Sequence, residues 1–192
     1  MAAEVLTRVL PSPVRRARAL LMRAAALYDA PGSPLAREAR SAWPGGFRGG
    51  AAWMAGAMSH VRGQPVRAVL PGAQALGLLK YASALLAAVG AWGMAVFLGL
   101  PHAVGLLLAV PAFYAVEVQG LFLFPLALDG AARPWRSARS LLREAGGTAG
   151  AMGTVLVLAA VMVFGGLAGR GLVRCWCLGC LAVVLWYEEL KA

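Results

Sequence analysis

The sequence predicts an all-α integral membrane protein, with four transmembrane helices preceded by amphipathic N-terminal helices. Three observations predict it. First, 60% of the 192 residues are hydrophobic and 14% are charged, against about 45–50% and about 25% in soluble domains. Second, four runs approach the ~20 apolar residues that a helix needs to cross the hydrocarbon core. Third, the basic residues, sixteen Arg and two Lys, avoid those runs and gather before and between them. The expected division is a basic cytoplasmic or interfacial helical region over residues 1–70 and a four-helix bundle over 71–192.

The N-terminal region reads as a series of short helices. In "PSPVRRARALLMRAAALY", Ser12 can cap a helix and Pro13 suits its first position. Val14, Ala17, Leu21, Ala24 and Tyr28 follow helical spacing, with Arg15, Arg16, Arg18 and Arg23 off that stripe. "DAPGSP" breaks the helix, and Ser33-Pro34 starts a short second one that ends near "WPGG". After "GGFRGG", Trp53, Met54, Ala57, Met58 and Val61 form another apolar stripe. Two placements fit such helices. They can lie in the headgroup region with arginines toward phosphates, or cap the bundle from the cytoplasm.

The spans follow. The first is expected over 75–100, the second over 103–128, the third over 148–169 and the fourth, shorter, over 171–189. Pro101-His102 makes a tight hairpin between the first two, and Gly169-Arg170-Gly171 another between the last two. The longer connection "DGAARPWRSARSLLREAGG" carries Arg133, Arg136, Arg139 and Arg143. The last three share one helical face, while Trp135, Ala138, Leu141 and Leu142 can face bilayer or bundle. Ten arginines precede the first span. The positive-inside rule puts that region and the long connection in the cytoplasm, so both termini are expected there, in a bacterial inner membrane. Arg170 and Arg174 oppose this arrangement but are outnumbered. No apolar stretch with a small-residue cleavage site opens the chain, so the first span is expected to direct insertion.

The net charge of +10 could suggest nucleic acid, but its distribution is that of membrane topology and anionic headgroups. The expected partners are membrane lipids, their anionic headgroups, and other membrane subunits or further copies of the chain. No nucleic acid, cofactor or metal is expected. The lipid- or partner-contacting residues would be Arg15, Arg16, Arg18, Arg23, Arg133, Arg136, Arg139 and Arg143.

Glu117 is the most informative single residue. It lies mid-span in "PAFYAVEVQGLF", where a charge costs about 2.5–3.5 kcal/mol on insertion scales. Folding the first two spans at residues 100–101 puts Lys80 within roughly 6 Å of its depth at 1.5 Å per residue. Lys80 is the natural partner, and Tyr114, one turn before Glu117, could donate a hydrogen bond. Pro111 and Pro125 flank Glu117, which marks the second span as irregular and interior. An ion or substrate pathway and a structural polar contact both fit this pair.

Cys175, Cys177 and Cys180 lie within "CWCLGC". Cys177 and Cys180 share a helix face and Cys175 points elsewhere. "CLGC" at the outer end of a helix in a four-helix membrane bundle resembles the DsbB and vitamin-K-epoxide-reductase type of quinone-linked thiol oxidoreductase. That resemblance implies redox chemistry at Cys177 and Cys180. The family's second cysteine pair is missing here, and packing is the expected role. "LDGAARP" echoes the CDP-alcohol phosphotransferase signature, but Leu126 holds its first Asp position, Arg133 comes one residue early and no later Asp follows. Finally, "FPLALDGAARPWRSARSLLREAGGTAGAMGTVLVLAAV" resembles uncharacterised multi-spanning bacterial families, such as the membrane domain found beside glycerophosphodiester phosphodiesterases. It implies a helical bundle and no catalytic residue. The function expected is a non-enzymatic inner-membrane accessory, anchor or assembly subunit. The alternatives are a carrier or channel component built around Glu117 and a thiol oxidoreductase.

Overall fold

The computed structural model describes residues 12–66 and 70–192; Arg8 and Arg67, two of the ten N-terminal arginines, lie outside them. The described residues form α1 (Pro13–Tyr28), α2 (Leu35–Ala42), α3 (Gly46–Arg62), α4 (Ala73–Phe97), α5 (His102–Glu117), α6 (Leu123–Leu128), α7 (Pro134–Glu144), α8 (Gly147–Gly165) and α9 (Leu172–Lys191). Among the described residues, three stretches are long and apolar enough to cross a membrane: α4, α5 continued through α6, and α8 with its following turn.

Local sequence explains the boundaries. Ser12 Oγ accepts a hydrogen bond from the Arg15 amide at 3.4 Å, and Pro13 opens α1. α4 and α5 are joined by a turn in which Gly99 takes φ +75°, a left-handed geometry that glycine adopts without steric cost. α5 stops at Glu117, followed by a 3-10 turn over Val118–Gly120. Pro125 accounts for the interruption, since it has no amide to donate to the Leu121 carbonyl and its ring crowds that group.

Two bodies differ in what they bury. α4 and α5 form an antiparallel hairpin whose helices pack on each other from the turn to the Lys80–Glu117 pair. The buried positions of α4 are Lys80 and five small residues, Ala73, Gly77, Ala84, Ala88 and Ala95, which let helices approach closely. The large ones point outward: Leu86 is 72% exposed, Phe97 84% and Leu107, on α5, 74%. The other body is built around α9. Leu178, Leu181, Val184, Leu185, Trp186 and Tyr187 are buried there, against α1, α2, α3 and α8.

α1 is antiparallel to α9. Arg174 at the start of α9 pairs with Asp29 just past α1, while Arg16 near the start of α1 lies over the Trp186 ring at 5.3 Å. The described start of the chain and its C-terminal end therefore lie together.

Several expectations change. The 171–189 segment is a helix, but its charged ends, Arg174 and Glu188, Glu189 and Lys191, leave a short apolar middle, and that middle is covered by protein. The apolar stripe of α1 is Ala17, Leu20, Ala24 and Tyr28; Val14 is 61% exposed. α1 packs its apolar face on α8 and α9, while α2 and α3 pack on each other and on α9. The buried cluster draws residues from both sides of residue 70.

Candidate functional site

Lys80 and Glu117 meet where the α4–α5 hairpin joins the rest of the molecule. Lys80 Nζ lies 2.6 Å from Glu117 Oε1, and both side chains are more than nine-tenths buried. The stem of Lys80 passes over Gly120, where an added Cβ would touch it at 3.4 Å. The ammonium also lies 5.1 Å from the centroid of the Tyr81 ring, which stacks on Phe47. Phe47 in turn sits directly on Gly77, where any Cβ would overlap its ring. Counting 1.5 Å per residue, the pair lies about 22–25 Å from the hairpin tip.

The second oxygen of Glu117 is different. Oε2 is buried and has no hydrogen-bond partner among the described residues. The expected hydrogen bond from Tyr114 is therefore not made, although Tyr114 lines the same cleft. Gln119 turns away to bond Thr148 Oγ1 at 3.0 Å.

Two adjoining cavities open beside the pair. One, of about 330 Å³, is lined by Lys80, Tyr114, Glu117, Leu158, Met162 and Trp176 among others. The other, of about 340 Å³, lies between Trp43, Phe47, Trp53, Tyr81 and Cys177. Tyr81, Phe124, Trp176 and Cys180 line both.

A second polar cluster closes the far end of α9. Arg62 donates to Asp129 at 2.6 and 2.9 Å and to Glu188 at 2.7 and 3.0 Å. Tyr187 Oη and Lys191 Nζ also donate to Asp129, at 2.5 and 2.8 Å. Burial disfavours the ionised Asp129, but the hydrogen bonds from Arg62, Lys191 and Tyr187 outweigh it and hold the carboxyl well below the usual carboxylate range. The bonds to Asp129 and Glu188 push Arg62 further up. Sequence reasoning missed this cluster. Asp129 and Glu188 stand at the ends of apolar segments, which was a visible signal, but no spacing links either of them to Arg62.

The arginines expected to meet lipid or partner divide into two groups. Arg16 donates to the Ala145 carbonyl at 3.0 Å, at the C-terminus of α7, and Arg23 pairs with Glu189. These two are used within the chain. Arg15, Arg18, Arg133, Arg136, Arg139 and Arg143 are exposed, while Ala138 and Leu142 bury the opposite face of α7.

All three cysteines are free thiols. Cys175 is buried, with its sulfur 3.0 Å from where a Cβ on Gly165 would stand. Cys177 and Cys180 line the second cavity together. Positions three apart on a helix hold their Cβ atoms at about 5–6 Å, beyond the ~3.5–4.5 Å of a disulfide.

No family model matches this chain, and neither a curated protein nor a solved structure is significantly similar to it. The likenesses noted in the sequence therefore rest on the quoted residues alone.

Proposed function

We propose that the chain is a non-enzymatic accessory or assembly subunit of a bacterial inner membrane, which presents the α4–α5 hairpin to other membrane helices. The observation that carries this reading is the hairpin's inside-out packing. Its small residues face each other and Leu78, Leu79, Leu85, Leu86, Leu106 and Leu107 face outward. Small-residue seams are how helices associate inside a bilayer. The outward face is apolar over most of two helices, an area typical of contact with lipid tails or another protein.

In this reading α9 is a fourth, protein-sheathed passage alongside α4, α5 and α8. Both termini then lie on the cytoplasmic side with the exposed arginines of α7. The adjacency of the start of α1 and the end of α9 supports it. The carrier reading keeps one supporting observation, the Lys80–Glu117 pair beside a cleft. The thiol oxidoreductase reading has Cys177 and Cys180 on one cavity wall, with no electron shuttle beside them in the sequence.

Photo-crosslinking tests the proposal. A photoreactive residue at Leu86 or Leu107, activated in native membranes, should give a discrete adduct with one partner polypeptide or a second copy of the chain. Adducts with lipid alone at both positions would contradict it.

A further inference from the structure

The cleft between the hairpin and α8–α9 is walled by apolar side chains, among them Phe113, Leu158, Met162, Val163 and Trp176. The charged groups in its wall are Lys80 and Glu117, joined Nζ to Oε1. We propose that this cleft binds an uncharged, hydroxyl-bearing lipid of the acylglycerol type, whose hydroxyl donates to Glu117 Oε2 while its acyl chain lies along the apolar wall.

Three observations select that chemistry. The first is the orphan acceptor. Oε2 is buried without a donor among the described residues, and an unmet buried carboxylate oxygen is costly. Oε2 is also closed to solvent, so a ligand that brings a donor relieves that cost as it displaces the side chains covering the oxygen. Lys80 carries three donors and spends one on Oε1, so an ester carbonyl beside the hydroxyl finds a complement too.

The second is charge. The Lys80–Glu117 pair balances itself, so an anionic headgroup would meet Glu117 with no free cation to receive it. Stripping water from a phosphate costs far more than stripping it from a hydroxyl. The third is size and access. A cavity of about 330 Å³ falls in the small-molecule range of about 300–1,000 Å³. A helix with its side chains is about 10–12 Å across and does not fit beside a sealed ion pair. Val163, which lines the cleft, is 49% exposed, so the cleft reaches the apolar outer surface of α8, where a lipid can enter.

The inference goes beyond the accessory reading, because the site faces inward whereas the proposed partner surface faces outward. Its test is quenching of Trp176, which lines the cleft, in the full chain reconstituted into phosphatidylcholine nanodiscs. The probe is dioleoylglycerol brominated across its double bonds. The expected result is saturable quenching of the emission that Trp176→Phe removes, and no such saturation with equally brominated phosphatidic acid.

The double variant Lys80→Met/Glu117→Met removes both charges, leaves no orphaned ion, and should need at least about tenfold more probe. Ala159→Phe fills the cleft without touching the pair and should abolish saturation. Four results would overturn the proposal: quenching that never saturates, as when water alone serves Oε2; an unchanged midpoint in both variants; equal saturation by phosphatidic acid; or a co-purifying polypeptide that shields Trp176 from every probe.

Discussion

α4 and α9 are both long and largely apolar, yet they bury opposite halves of their side chains. α4 turns Ala84, Ala88 and Ala95 inward and Leu85, Leu86 and Phe97 outward; α9 turns Leu181, Leu185 and Trp186 inward. In water the hydrophobic effect drives the largest apolar groups to the inside. In lipid that drive between helices is gone, and close backbone approach through small residues takes over. The hairpin packs by the second rule, whereas α9 buries its large residues against α1, α2, α3 and α8, as a helix enclosed by protein does. The same contrast divides the polar groups. At the end of α9 every carboxylate oxygen of Asp129 has a donor, whereas at the root of the hairpin one oxygen of Glu117 has none among the described residues. A fully satisfied network rigidifies the fold, and an unmet buried acceptor costs free energy until a donor reaches it.

The strongest way to break this contrast is at Arg62. Arg62→Ala leaves Asp129 and Glu188 facing each other without their shared cation, and removing one partner of a buried charge network costs roughly 3–5 kcal/mol. Arg62 is about a fifth exposed, so the lower end is expected in thermal unfolding in mild detergent. The same network gives a pH dependence. The Asp129 carboxyl is depressed in the folded chain, so its stabilisation is complete above the ordinary carboxylate pKa of about 3.9. It is lost as pH falls from there toward the folded value. Asp129→Asn should flatten the acid limb of the stability profile while lowering stability at neutral pH. An acid limb unchanged in Asp129→Asn would show that other carboxylates set it.

Next in size is a matched pair of truncations. Leu181→Ala, at a fully buried position, should cost roughly 2–5 kcal/mol. Leu86→Ala, at an exposed one, should stay within about 0.5 kcal/mol in the same detergent assay. Equal losses would mean that the hairpin's outer face is covered in the isolated chain, and the contrast between the two bodies would vanish.

Three of the four expected spans, the two tight turns and the Lys80–Glu117 pairing were legible in the sequence because each rests on local rules. Apolar length marks a crossing, glycine and proline mark a turn, and a lone intramembrane carboxylate needs a cation at its own depth. The Tyr114 hydrogen bond was not legible. One helical turn puts Tyr114 near Glu117, but rotamer and packing decide where its hydroxyl goes. Val14 misled for a similar reason. It fits the period of Ala17 and Ala24, yet Leu20 fits as well, and only the position of α9 chooses between the two stripes. The Arg62 cluster was illegible because it joins the ends of α3, α6 and α9, and no periodicity within one helix reports contacts among three. The cysteines illustrate the remaining gap. Their spacing fixes a shared face but not what that face meets, which here is an aromatic-lined cavity for Cys177 and Cys180.

The central claim, that in the isolated chain the hairpin's outer face is open to lipid and α9 is sheathed by protein, can be read from two tryptophans. Trp92 on α4 is 36% exposed and Trp186 on α9 is 1% exposed. In bilayers of brominated phosphatidylcholine, the emission lost in Trp92→Phe should be strongly quenched by the bromolipid and untouched by aqueous acrylamide. The emission lost in Trp186→Phe should resist both. Quenching of Trp92 by acrylamide rather than bromolipid, or quenching of Trp186 by bromolipid as strongly as Trp92, would contradict the account.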